Sequence, residues 1–145
     1  ELAVVVGKRS RWLTKENALA AVFGYTIAND VTARDLQQSD GQWSRAKGFD
    51  TFCPVGPWIE TVFDPTDAII TCYVNNMLRQ MSSTREMIFG IQQIMMYASS
   101  VMTLEPGDLI LTGTPAGVGQ LQHGDQVSVH IDGIGTLFNR VSAER

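Results

Sequence analysis

Asp30 closes the stretch Gly24-Tyr25-Thr26-Ile27-Ala28-Asn29-Asp30, and Arg34 and Gln37 follow it closely. A carboxylate at the end of a strand-like run can hold a hard cation. A guanidinium and an amide just beyond it can orient an oxygen-rich ligand. Arg34 and Gln37 are spaced so that one helical turn shows both on a single face. The bland alternative is an exposed polar face. Glu1 is a second carboxylate, placed at the head of the apolar run Leu2-Ala3-Val4-Val5-Val6. Strands joined by a single helix often lie side by side. Glu1 and Asp30, converging with no lysine beside them, would hold Mg²⁺, Mn²⁺ or Ca²⁺; the alternative is two solvated carboxylates. Lys47 opens Lys47-Gly48-Phe49-Asp50-Thr51-Phe52-Cys53-Pro54. Partly desolvated among aromatics, it can act as an electrostatic or proton-transfer group toward an enolate; otherwise it is an ordinary exposed lysine. Thr114 lies in the glycine-rich loop Thr112 to Gly119, which lacks the Lys-Ser/Thr of a Walker loop but lets the backbone come close to a carboxylate ligand; the alternative is a glycine-rich turn between strands.

The elements that must position these groups follow from pattern and punctuation. Leu2 to Val6 predicts a buried strand. Thr14 is placed to cap a helix over about residues 15–23, with Gly24 stopping it and a strand following over residues 25–29. Residues 38–57 read as a long irregular loop, a feature that compact domains keep for function. Residues 59–74 hold two strand candidates around the turn Asp64-Pro65-Thr66-Asp67, and Asn75-Asn76 suits a tight hairpin. Ser83-Thr84-Arg85-Glu86 matches a capping box, with apolar residues from Met87 to Met102 at helical spacing. Gly90 divides that stretch. Met87, Met95, Met96 and Met102 read as core filler. Residues 109–112 form a strand, and residues 126–131 and 134–138 a hairpin about Asp132-Gly133. Strands dominate, so the fold class is α+β: a mixed, β-rich domain with few helices.

At 145 residues and a formal charge of −4, one domain with a real core is expected. No Lys/Arg run stands out, and Trp12, Trp43 and Trp58 are not interleaved with basic residues. Nucleic acid and anionic membranes are therefore poor partners. Cys53 and Cys72 form no CxxC and no disulfide framework, which favours a cytoplasmic, reducing location. No apolar run approaches the ~18 residues of a membrane span. His123 and His130 have no catalytic partner at a recognisable spacing. The chain opens inside a strand without Met and reads as one whose natural beginning lies upstream.

In order and spacing, these stretches resemble the fumarylacetoacetate hydrolase family over nearly the whole chain. The resemblance rests on residues 1–8, on Gly24-Tyr25-Thr26 through Asn29-Asp30-Val31 to Arg34-Asp35-Leu36-Gln37, on Lys47-Gly48-Phe49-Asp50, and on Pro54-Val55-Gly56-Pro57-Trp58. It continues with Leu104-Glu105-Pro106-Gly107-Asp108-Leu109-Ile110 and Thr112-Gly113-Thr114-Pro115-Ala116-Gly117-Val118-Gly119. It implies a β-rich, mixed-sheet roll with few helices, usually assembled as a homodimer. It also implies a single catalytic domain over residues 1–145 without its N-terminal portion.

A divalent cation, Mg²⁺ or Mn²⁺ with Ca²⁺ also suited to oxygen ligands, would be held by a Glu-x-Glu pair and a later Asp. Glu1 matches the second Glu, Asp30 matches the Asp, and the first Glu would precede Glu1. Arg34, Gln37, Lys47 and Thr114 match the family's substrate-contacting positions, with Lys47, Arg34 and Gln37 as the catalytic set. The lid and the His or Glu that activates water in the hydrolases would also lie upstream. The implied substrate is a small 2-oxo or 1,3-dioxo acid of aromatic-compound catabolism. The chain looks most like 2-hydroxyhepta-2,4-diene-1,7-dioate isomerases or acylpyruvate hydrolases. The alternatives are an oxaloacetate decarboxylase of the same family, a non-catalytic metal- or acid-binding module, and an inert fragment.

Overall fold

The computed structural model describes residues 1–143. Two four-stranded sheets pack against each other. The first has the order β3-β2-β1-β6 and the second β5-β4-β7-β8. β1 is Leu2–Val6, β2 Val22–Ala28, β3 Val55–Glu60, β4 Ile69–Val74, β5 Met77–Ser83, β6 Leu109–Leu111, β7 Gln126–Ile131 and β8 Gly135–Arg140. The helices are α1 (Arg34–Asp40), α2 (Ser44–Lys47) and α3 (Ile91–Val101), with 3₁₀ turns at Ala18–Ala21 and Thr84–Glu86. This is the β-rich α+β class expected. The sheets are not mixed as expected, since every ladder among the described residues pairs antiparallel.

β1 reads as a continuous apolar run because both its faces are covered. All five of its residues are buried, with β2 on one edge and β6 on the other. Leu2, Val4, Ile27, Met95, Ile131 and Ile134 are almost completely excluded from water. Side chains of this kind each stabilise the fold by about 1.5–3 kcal/mol through burial. β2 and β3 of the first sheet face β7 and β8 of the second, and this contact closes the core.

Some local expectations change. The helix expected over residues 15–23 is only the 3₁₀ turn Ala18–Ala21, and β2 already begins at Val22. Gly24 therefore stops no helix. It lies within β2, where a Cβ would meet the Glu60 carbonyl oxygen of β3 at 2.6 Å. Residues 38–57 are not wholly irregular, because they hold the end of α1, all of α2 and the start of β3. Ser83 does cap a turn, accepting from the Arg85 amide at 3.1 Å, but that turn is 3₁₀ and the longer helix starts after Gly90. On α3 the buried residues are Ile91, Met95 and Ser99, whereas Met102 is exposed and is no core filler. Asn75 and Asn76 both take positive φ, as the tight β4–β5 hairpin requires. No helix among the described residues is long and apolar enough to cross a membrane.

Candidate active site

The antiparallel register of β1 and β2 sets Leu2 opposite Ile27. Glu1 extends that ladder, since the Ala28 amide donates to the Glu1 carbonyl at 3.0 Å and the Glu1 amino group donates to the Ala28 carbonyl at 2.7 Å. Asp30 follows two residues after Ala28, so both carboxylates leave the sheet at the same end. On the other side of β1, the end of β6 turns across it. The Thr112 hydroxyl donates to the Leu2 carbonyl at 2.9 Å, and the Gly113 amide donates to the Glu1 carboxylate (Oε2) at 2.7 Å. The carboxylate that this loop amide meets is the chain's own Glu1, whereas the expectation was a ligand's.

Lys47 reaches the site from α2. The Ala33 amide donates to the Ala46 carbonyl at 2.9 Å, which ties the start of α1 to α2, and Ala46 is fully buried. Gly48 ends α2 where a Cβ would lie 2.5 Å from the Ser44 carbonyl oxygen. The chain can turn away there, with Lys47 as the last helical residue. The Lys47 ammonium pairs with the Asp30 carboxylate, approaches the Thr32 hydroxyl at 3.4 Å and stands 5.8 Å from the centre of the Trp43 ring. Its side chain is 29% exposed and that of Asp30 is 26%. This corrects the expectation of carboxylates with no lysine beside them. Lys47 and Asp30 are separated by sixteen intervening residues, so nothing in the local pattern announces the pair.

Cys53 lies in the loop after α2. Burial pushes its thiol pKa up, and the negative charges of Asp30 and Glu1 push it further, while Lys47 and the amino terminus oppose them.

Arg34 and Gln37 share one face of α1 as expected, and the Arg34 guanidinium donates to the Gln37 side-chain amide oxygen (Oε1) at 2.5 Å. Among the described residues they bond to each other and to no other site side chain. Thr114 stands one residue beyond Gly113, and its hydroxyl oxygen accepts from Gln80 Nε2 at 2.7 Å. The fold therefore gathers Glu1, Asp30, Lys47 and the Thr114 loop at one end of the first sheet and leaves Arg34 and Gln37 on the adjoining helix. Gln80 went unnoticed in the sequence, and Cys53 was read only for its redox setting. Gln80 is one polar residue in an edge strand, and no periodic signal marks it.

An open groove of about 360 Å³ runs beside this end of the sheet, walled by Thr112–Pro115, Ser82–Thr84 and Met87–Phe89. Neither Asp30 nor Lys47 lines it, so it touches the charged cluster only through the loop.

Glu1 and Asp30 lie at the same end of the first sheet and offer only oxygen, the donor type that suits a hard divalent cation. No group of three or more His, Cys, Asp or Glu side chains comes together among the described residues. Glu1 and Asp30 thus fit part of such an ion's shell and leave further positions to other oxygen donors.

Residues 1–142 match the model of the fumarylacetoacetate hydrolase C-terminal domain. The chain belongs to the fumarylacetoacetate hydrolase family. Among its relatives is an uncharacterised protein of Methanocaldococcus jannaschii, 54% identical over 144 residues, which cover 99% of this chain and 61% of that protein. The mitochondrial oxaloacetate tautomerase FAHD2B of Bos taurus is 44% identical over 97% of this chain and 49% of its own length. The crystal structure of 5-carboxymethyl-2-hydroxymuconate delta-isomerase from Mycobacterium smegmatis superposes with a TM-score of 0.98 at 50% identity, over 100% of this chain and 58% of that one. The maleylpyruvate hydrolase of Sphingobium sp. SYK-6, in complex with manganese(II) and pyruvate, superposes at 0.91 with 40% identity, over 100% of this chain and 53% of that one. The chain thus spans roughly half to three-fifths of the length of these fumarylacetoacetate hydrolase relatives. Their two-sheet fold is the one seen here.

Proposed function

We propose that residues 1–145 act as one catalytic domain of a divalent-metal-dependent enzyme that works through an enolate on a small 2-oxo or 1,3-dioxo acid. The observation that carries this reading is the assembly of Asp30, Lys47 and Glu1 at one sheet end beside the Gly113–Thr114 loop. Glu1 and Asp30 would hold Mg²⁺ or Mn²⁺. Such an ion, when bound, supplies Lewis-acid polarisation of a carbonyl oxygen. Lys47 holds a positive charge beside that point and stabilises developing negative charge on a substrate oxygen. Arg34 and Gln37 supply a guanidinium and an amide on the neighbouring helix to orient a carboxylate, and Thr114 supplies a hydroxyl from the loop.

The manganese and pyruvate held by the Sphingobium hydrolase favour a 2-oxo acid as the ligand class. The isomerase and hydrolase relatives favour double-bond migration or C–C cleavage, both of which pass through the same enolate. The bovine tautomerase favours a second reading, keto–enol interconversion of oxaloacetate, with decarboxylation of that acid as its neighbour in mechanism. A homodimer is the assembly in which this domain would operate, and sedimentation would test it.

Turnover of acylpyruvates, oxaloacetate and 2-hydroxyhepta-2,4-diene-1,7-dioate should require Mg²⁺ or Mn²⁺. Asp30→Ala should weaken Mn²⁺ binding by roughly a hundredfold, at or above the range found for groups that only support metal ligands, and abolish turnover. Unchanged Mn²⁺ affinity in that variant, or no turnover of any of these acids, would remove the proposal.

A further inference from the structure

We infer that Gln80 fixes the direction of the Thr114 hydroxyl, so that Thr114 presents its proton to the ligand and Gln80 is a positioning residue for the site. Gln80 lies on β5, in a different sheet from Glu1 and Asp30. Its amide nitrogen is 2.7 Å from Thr114 Oγ1 and 3.0 Å from the Pro115 carbonyl oxygen. A carbonyl oxygen only accepts, so the side-chain amide must turn its NH₂ toward this pair and not its oxygen. That NH₂ has two protons and two partners. One proton goes to Pro115, and the other leaves Thr114 Oγ1 as the acceptor.

A threonine hydroxyl carries a single proton. With Oγ1 accepting from Gln80, that proton points elsewhere, and no acceptor among the described residues takes it. It is available to an anionic oxygen, one residue along from the Gly113 amide that holds Glu1. The loop is pressed onto β5 at a second point. Gly117 has φ of +106°, and a Cβ there would lie 2.0 Å from the Arg79 carbonyl oxygen. Strand β5 thus supports the loop through backbone contact at Arg79 and orients it through the side chain of Gln80.

This inference rests on the reading of Thr114 as a ligand-contacting residue, and the experiment separates the two. Pyruvate binding to the Mn²⁺-loaded, full-length protein is measured by calorimetry. Thr114→Val and Gln80→Leu should each weaken pyruvate by about tenfold, the effect of one hydrogen bond to a charged group. Gln80→Glu keeps the length but can only accept, and should weaken it at least as much. The double variant Gln80→Leu/Thr114→Val should bind no worse than Thr114→Val alone, because Gln80 acts through that hydroxyl. Losses that add in the double variant, or full affinity in Gln80→Leu beside a weakened Thr114→Val, overturn the inference alone. Full affinity in Thr114→Val overturns the assignment of Thr114 as well. Without ligand, amide hydrogen exchange of Gly113, Thr114, Ala116 and Gly117 should quicken in Gln80→Leu, and unchanged exchange there overturns the inference whether or not pyruvate binds.

Discussion

The Asp30–Lys47 cluster and the His130–Asp132–Thr136 cluster hold comparable groups in different settings. His130 Nδ1 lies 2.9 Å from the Thr136 hydroxyl and its Nε2 lies 3.2 Å from Asp132. On distances alone this is an acid, an imidazole and a hydroxyl in a row. All three residues belong to one hairpin, where His130 and Thr136 are direct cross-strand partners. Adjacent strands bring such pairs together wherever a hairpin forms. Asp132 is 62% exposed, so water screens whatever charge the cluster carries. The other cluster draws on β1, β2, α2 and the loop after β6, and its ion pair is about three-quarters shielded. A cluster assembled from four separate segments demands a specific fold, whereas a hairpin cluster needs only a turn.

Three substitutions would break or sharpen this contrast. The largest effect is expected at Ile131, the fully buried neighbour of His130. Ile131→Ala should cost about 2–5 kcal/mol of stability in a denaturant titration, as buried isoleucine truncations do. The protein that remains folded should keep its Mn²⁺ affinity. A loss of metal affinity in proportion to stability would show that the hairpin and the site are not separable.

An intermediate effect is expected at Cys53. Its thiol is held above the ordinary range first by burial and then by Asp30 and Glu1. Removing a negative charge favours the thiolate, so Asp30→Asn should lower the Cys53 pKa and speed its alkylation at pH 8. Cys72 is raised by burial, with no contribution from Asp30, and should not change. Peptide-resolved iodoacetamide labelling across a pH series distinguishes the two. Equal acceleration at both cysteines would indicate general loosening and not a converging charge.

The smallest effect is expected at His130 itself. His130→Ala should shift stability by no more than about 0.5 kcal/mol, as exposed substitutions do, and leave turnover unchanged. A large fall in turnover would move the catalytic centre to the hairpin.

Parts of both sheets were legible in the sequence because their signals are local. The β-branched run Val4-Val5-Val6 marks a strand buried on both faces, and Asn75-Asn76 marks a turn that needs positive φ. Arg34 and Gln37 were legible as neighbours because helical spacing alone brings them together. The short 3₁₀ turn before β2 was not legible, since strand pairing of Val22 with Val6 outweighs the helix propensity of the alanines around it. Gly24 looked like a stop signal, yet its reason for being glycine is the backbone of β3 pressed against it.

By itself, then, the sequence marked which residues could carry chemistry and which ends of strands bear Glu1 and Asp30. It also placed a lysine and a threonine in flexible, glycine-bearing surroundings. Only the tertiary structure decided that Lys47 neutralises Asp30, that the Gly113 amide holds Glu1 from the far end of the chain, and that Gln80 reaches Thr114 from the second sheet. The reason is physical. Residue type and period set local conformation, whereas contacts between distant segments depend on sheet register and on how the two sheets pack, which no single stretch of the chain encodes.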